Sequence, residues 1–213
     1  RVREIWTKLG FDVHSVRDSV RSLCPKTDDD EAVGTVNTGA DYLPKGRGVE
    51  DLFLIGVDPG RKGGIVMIQG GKIVNNWPMP VEENFEVDVA KLNEIVAEAK
   101  EREAVVFVEE VAPFVHGGKG VNAAGTFNFG RAREQAELPF LLAELHVERL
   151  QPKVWQASLG INGDDKPNMR RGKLANLLPG WVPGHSLSDG EIDAGLIAIA
   201  GQRELSKNSP KCL

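Results

Sequence analysis

Read for the spacing of its apolar positions, the chain becomes regular after about residue 50. LFLIGVD (52–58) is a continuous apolar run closed by an acid and suits a central strand. GIVMIQGGKIVNNW (64–77) reads as two strands joined by a tight Gly70-Gly71 turn, which gives a three-stranded antiparallel start. From Asp88 to Glu101 the residues Val89, Leu92, Ile95, Val96 and Ala99 share one face at helical spacing. AVVFVEEV (104–111) predicts a fourth strand, again ending in acids. The Gly-rich HGGKG (116–120) leads into a long helical stretch to about Leu145, followed by a short strand around VERL (147–150) and a Pro-started helix at PKVWQASL (152–159). Further helices are expected near Arg170 to Leu178 and Asp189 to Leu205. Strands and helices in this order predict an α/β layered domain with one mixed sheet.

The first fifty residues differ. Residues 1 to 24 read as one or two short helices, with Val16, Val20 and Leu23 at helical spacing, and Cys24-Pro25 ends the pattern. Lys26 to Glu50 is rich in Asp, Gly, Thr and Pro and carries no sustained period, so it reads as a linker. The chain therefore divides into a helical extension with linker (1–50) and a main domain (51–213). Opening on Arg1 leaves room for a native start further upstream.

Composition narrows the class. Among 213 residues, 41% are hydrophobic and 27% charged, the balance of a soluble globular protein. No window approaches the ~18 consecutive apolar residues of a membrane span. No secretory leader pattern is present, so neither membrane nor export is expected. Cys24 and Cys212 lack metal-ligand spacing and make no disulfide framework, and a reducing interior is the default compartment. The net charge of −5 argues against a generic DNA-coating protein, but it is unevenly spread. Residues 82–103 carry eight acids against three bases, whereas 115–133 and 146–175 each come to +3. Those two stretches would form a basic surface if the fold put them on one face.

Carboxylates stand where chemistry is expected. Asp58 ends one buried-type strand and Glu109-Glu110 ends another, and open α/β sheets bind ligands beyond strand ends. Asp189 and Asp193 are four residues apart at the start of a helix, on one face and about 6 Å apart along its axis. Each acid alone has a plainer reading: Asp58-Pro59-Gly60 as a turn, Asp189 as an N-cap, Asp193 as a first-turn acid. Gathered in a partly dry site they would repel unless a cation held them, and hard oxygen donors with no Cys or His cluster suit Mg²⁺ or Mn²⁺.

IGVDPG (55–60) with its Gly-containing hairpin, the strand-ending VEE (108–110), FNFGRARE (127–134), LQPKVW (150–155) and DGEIDAGLIAIAG (189–201) together resemble RuvC-type Holliday junction resolvases of the RNase H-like fold, closest to the phage and chloroplast branch. The resemblance covers roughly residues 52–204. It implies a mixed five-stranded sheet flanked by helices. It also implies a metal-dependent endonuclease that resolves Holliday or other branched DNA by paired phosphodiester hydrolysis. Asp58, Glu109, Asp189 and Asp193 match the family acids that hold two Mg²⁺ or Mn²⁺ ions. Asp189 stands four residues before Asp193, where bacterial RuvC proteins place the corresponding residue three before. Glu110 and Glu191 are adjacent decoys. Strand alternation sends Glu109 and Glu110 to opposite faces, and Glu110 is the substitute if the register is shifted by one.

The same resemblance implies partners. Lys119, Arg131, Arg133, Lys153, Lys166, Arg170, Arg171 and Lys173 are candidates for phosphate contacts, and Phe114 or Phe127 for wedges stacking at a crossover, with core packing as the plainer role of both and of Phe129. Trp155 is most simply a core anchor, and His116 and His185 are most simply surface residues. Paired nicks on a two-fold junction call for a homodimer, with the helix from about Ala123 to Leu145 supplying the contact through Leu138, Phe140, Leu141 and Leu142, which suit core packing equally. No nucleotide cofactor is expected. The location implied is the cytoplasm, at the nucleoid of a bacterium or phage-infected cell, or an organelle if a transit segment lies upstream. Competing readings are another RNase H-like nuclease acting on RNA or RNA–DNA hybrid, an actin-like ATPase or sugar kinase whose first hairpin is similar, and an inert DNA-binding module. The kinase reading requires a second Gly-rich phosphate motif and a second domain, which about 160 residues do not accommodate.

Overall fold

The computed structural model describes residues 47–83, 86–110, 123–181 and 186–208, with 123–129 and 208 as backbone only. The helical extension, most of the linker, Phe114, His116, Lys119, His185 and the side chains of Phe127 and Phe129 lie outside the described residues. All that is described belongs to one compact unit, Thr38–Leu213.

Five strands form one sheet in the order β3-β2-β1-β4-β5. They are β1 (Leu54–Asp58), β2 (Gly64–Gln69), β3 (Lys72–Pro78), β4 (Val105–Glu109) and β5 (His146–Leu150). β1 to β3 are antiparallel, through the tight turn at Gly70 (φ 56°) and Gly71 (φ 71°) that the type of hairpin requires. β4 and β5 run parallel to β1. β1, β2 and β4 are buried on both faces, which is why their sequences are unbroken apolar runs, while the edge strand β3 alternates between exposed and half-buried positions.

The helices are α1 (Val89–Glu101), α2 (Ala123–Leu142), α3 (Pro152–Ser158), α4 (Pro167–Leu177) and α5 (Asp189–Asn208). Asp88 is the N-cap of α1, its carboxylate accepting from the Lys91 N–H at 3.1 Å. α2 is shorter than its pattern predicted, and Glu144, at φ 61°, turns the chain into β5. α4 begins three residues before the expected Arg170, because Pro167 can occupy a first-turn position where its missing N–H has no intrahelical partner to lose. Among the described residues no helix is long and apolar enough to cross a membrane.

Side-chain parity divides the interior into two cores. Leu54, Val66, Ile68, Val105 and Phe107 face α3, α4 and α5. Ile55, Val57, Ile65, Met67, Val106 and Val108 face α1 and α2. α5 comes down to main-chain contact on β1 at Gly56, where a Cβ would stand 1.9 Å from the Ala194 carbonyl oxygen. Only glycine permits that approach.

Candidate active site at the carboxyl ends of β1 and β4

The parallel register pairs Gly56 with Phe107 and Val57 with Val108, so Asp58 and Glu109 are neighbours at the ends of adjacent strands. Both continue the stripe that faces α5, because they follow Gly56 and Phe107 by two residues. Glu110 continues the opposite stripe and acts electrostatically on Arg149, on the α2 side. The register is the expected one, and Glu109 is the acid directed toward Asp58.

Three carboxylates influence one another here. Burial pushes Asp58 up to about 6, against the Gly60 N–H that its Oδ1 accepts at 2.9 Å, and the Asp193 carboxylate raises it further. Glu109 is pushed up to about 7 by burial and then by the charge of Asp58, while the Trp155 indole N–H, 3.0 Å from its Oε1, works in the opposite sense. Asp193 is likewise raised by burial, opposed by its bonded Arg170 guanidinium. Asp189 stands one turn earlier on α5 at the rim, its side chain 68% exposed, with Arg171 Nη2 at 3.8 Å, and its charge raises Asp193. Thus Asp58, Glu109 and Asp193 share one buried electrostatic neighbourhood, with Asp189 at its edge.

The carboxylate cage for a pair of cations expected from the sequence is not closed among the described residues. Among the described residues no group of three or more His, Cys, Asp or Glu side chains is arranged to hold a metal ion. The cation in contact with Asp193 is Arg170, whose Nη1 bonds to Asp193 Oδ2 and whose charge also lowers Asp58 and Glu109. The donor chemistry nevertheless fits a hard divalent ion. All the ligands on offer are carboxylate oxygens, and Asp193 Oδ1 is buried with no hydrogen-bond partner.

Several basic residues are placed otherwise than the sequence suggested. Arg170 faces the acids rather than lying on an open phosphate-binding surface. Arg133 is largely buried, paired with Glu134 and 3.9 Å from Glu137, itself a buried acid that also takes Arg149 at 2.8 Å. Both partners of Arg133 lie on α2, and the bond that ties α2 to β5 is the one from Arg149 to Glu137. Arg171 donates to the Leu187 carbonyl at 2.9 Å and holds the approach to α5. Arg131 pairs with Glu86 at 2.8 Å on the surface. Lys153 and Lys166 are exposed, and Lys173 is half-buried. Among the described residues, Arg131 and Arg133 stand on α2 over one face of the sheet, with Arg149 of β5 turned to the same side, whereas Lys153, Lys166, Arg170, Arg171 and Lys173 belong to the α3 and α4 side.

Two side chains carry more than their sequence context suggested. Trp155 is a core anchor as expected, but it also donates to Glu109. Glu191 stays out of the acid cluster because it closes a capping box. Its carboxylate accepts the Ser188 N–H and hydroxyl, each at 2.7 Å, its own N–H reaches Ser188 Oγ at 3.2 Å, and Asn76 donates to it at 2.7 Å. Ser188, not Asp189, is therefore the N-cap of α5, and the Ser-x-x-Glu spacing is the signal for it.

The antiparallel hairpin, two parallel strands and crossing α5 define the RNase H-like architecture, with acids where its strand ends meet the last helix. Among solved structures, Thermus thermophilus RuvC overlays this chain with a TM-score of 0.53 at 16% identity, covering 74% of this chain and 96% of RuvC. T. thermophilus RuvC in complex with a Holliday junction substrate gives the same TM-score of 0.53 at 17% identity, with the same coverage of 74% and 96%. The fold is that of RuvC. No protein-family model and no curated protein matches the sequence.

Proposed function

We propose that the chain is a metal-dependent, structure-specific endonuclease that cuts Holliday or other branched DNA. The observation carrying this reading is the convergence of Asp58 and Glu109, at the ends of paired strands of a RuvC-like sheet, with Asp193 on the helix that rests on β1. Buried like charges are costly, and a site that gathers them has a use for a cation. The solved complex of T. thermophilus RuvC with a Holliday junction supports branched DNA as the partner.

Asp58, Glu109 and Asp193, joined from the rim by Asp189, would hold Mg²⁺ or Mn²⁺. The chemistry two such ions would supply is activation of the attacking water and neutralisation of charge on the leaving oxygen. The chain's own residues prepare that chemistry. The Gly60 N–H fixes Asp58 Oδ1, and Trp155 fixes Glu109 Oε1, so both carboxylates are oriented before anything binds. Lys153 and Lys166, exposed on the same side of the sheet as α5, would take backbone phosphates.

A homodimer follows from the two-fold symmetry of a junction. On α2, Phe140 is used in the core, but Leu138 (51% exposed) and Leu141 (45%) face outward and are available to a second copy.

The test is cleavage of a synthetic four-way junction, a duplex and an RNA–DNA hybrid, each with Mg²⁺ and with chelator. Paired nicks on the junction alone, and only with metal, are expected. Asp58→Asn should abolish cutting while junction binding is retained or strengthened, since the substitution removes negative charge. Equal cutting of the hybrid, or cutting in chelator, would refute the reading.

A further inference from the structure

We propose that Arg170 is a resident counter-cation of the carboxylate cluster, holding Asp193 until a divalent metal ion displaces it, so that the readiness of Arg170 to leave sets the metal affinity. The inference rests on the nuclease reading above.

Arg170 binds Asp193 on one side only. Its Nη1 takes Oδ2, while Oδ1 stays buried and unpartnered. A permanent structural ion pair between these residue types is more stable when both oxygens are engaged by the guanidinium fork. The other anchor of Arg170 is long, from Nε to the Asp165 carbonyl at 3.3 Å. Its side chain is 25% exposed, so it has solvent to move into.

The charges point the same way. Arg170 acts on Asp58, Glu109 and Asp193 together, one positive charge set against three acids. That is under-compensation. A divalent ion brings more charge in a smaller radius, and can use the free oxygen that Arg170 leaves idle. Pro167, Arg170, Asp189, Ile192 and Asp193 close around a recess, so the guanidinium stands where α4 and α5 meet over the acids. Once released, it remains on the α4 face beside exposed Lys166, one turn away, and is then free to meet a phosphate.

The experiment titrates Mn²⁺ into the full chain without DNA, by calorimetry, for wild type, Arg170→Met, Arg170→Gln, Arg170→Lys and Asp58→Asn, each first checked for folding by circular dichroism. Met and Gln should both bind Mn²⁺ about tenfold more tightly than wild type, an ordinary size for two coupled sites. Gln keeps a hydrogen-bond donor near Asp193, so its agreement with Met assigns the effect to charge. Lys should stay near wild type, and Asp58→Asn should bind more weakly. If Met and Gln bind Mn²⁺ no more tightly than wild type while Asp58→Asn is impaired, Arg170 is a brace only and the counter-cation idea is overturned with the nuclease reading intact. If no variant, wild type included, takes up Mn²⁺, both fall.

Discussion

Trp155 donates its indole N–H to Glu109 Oε1 across 3.0 Å, tying α3 to the last residue of β4. The bond favours the ionised carboxylate, against burial that has pushed Glu109 up to about 7. Trp155→Phe keeps most of the apolar volume and removes the donor. Glu109 should then titrate at higher pH, and the acidic limb of the pH–rate profile for junction cleavage should move upward with it. The stability cost should be about 1–3 kcal/mol, read by urea unfolding. An unchanged pH profile with normal folding would mean that the indole does not tune Glu109.

In the metal-free protein the acids make stability depend on pH. Asp58 (about 6) and Glu109 (about 7) lie above the ordinary carboxylate range, so the folded state holds protons that the unfolded state has released. Their contribution is therefore fully present at acid pH, below the unfolded values, and is lost as pH rises through about 6 and about 7. Wild type in chelator should lose stability as pH rises from about 4 to about 7, by up to roughly 3 kcal/mol for each carboxylate. Asp58→Asn and Glu109→Gln should flatten the curve and be more stable than wild type at the upper end. Thermal unfolding in chelator across that range measures it.

Glu191 and Asp189 should separate by phenotype. Glu191 is 95% buried in the capping box and bonded to Asn76. Glu191→Ala should cost about 2 kcal/mol in denaturant unfolding, through the lost cap and the stranded amide. Asp189→Ala, at an exposed rim position, should shift stability by less than about 0.5 kcal/mol yet reduce cleavage. Equal stability effects would erase the distinction between a cap and a site acid.

The basic residues divide in the same manner. Lys153→Ala and Lys166→Ala should each weaken junction binding and reduce the slope of log K against log salt by about 1, with no loss of folding stability. Arg133→Ala should do the reverse, leaving the salt slope unchanged and lowering stability. Glu137→Ala should destabilise by about 3 kcal/mol, because Arg149 and Arg133 lose the acid between them.

What could be read from the chain was whatever repeats locally. Unbroken apolar runs marked β1, β2 and β4, and a period of two residues in β4 already sent Glu109 and Glu110 to different faces. The helix patterns were right in kind, with ends that shifted where Pro167 or Glu144 set them. Long-range pairing was hidden. Nothing near Arg170 announces that Asp193, 23 residues later, will take its guanidinium, and nothing near Trp155 announces Glu109. The approach of Arg133 to Glu137 was legible, since the two stand four residues apart and helical spacing brings them together. The capping box was legible as well, in the Ser-x-x-Glu spacing of Ser188-Asp189-Gly190-Glu191.

Main chain resting on main chain at Gly56 gives the molecule an unusual kind of permanence. The spacing between Asp58, two residues beyond that glycine, and Asp193, next to Ala194, is gauged by bare peptide groups. Surrounding side chains can therefore drift, shrink or swap without moving the acids. A single methyl group at that position would have to lift α5 off β1 and would carry Asp193 away from Asp58.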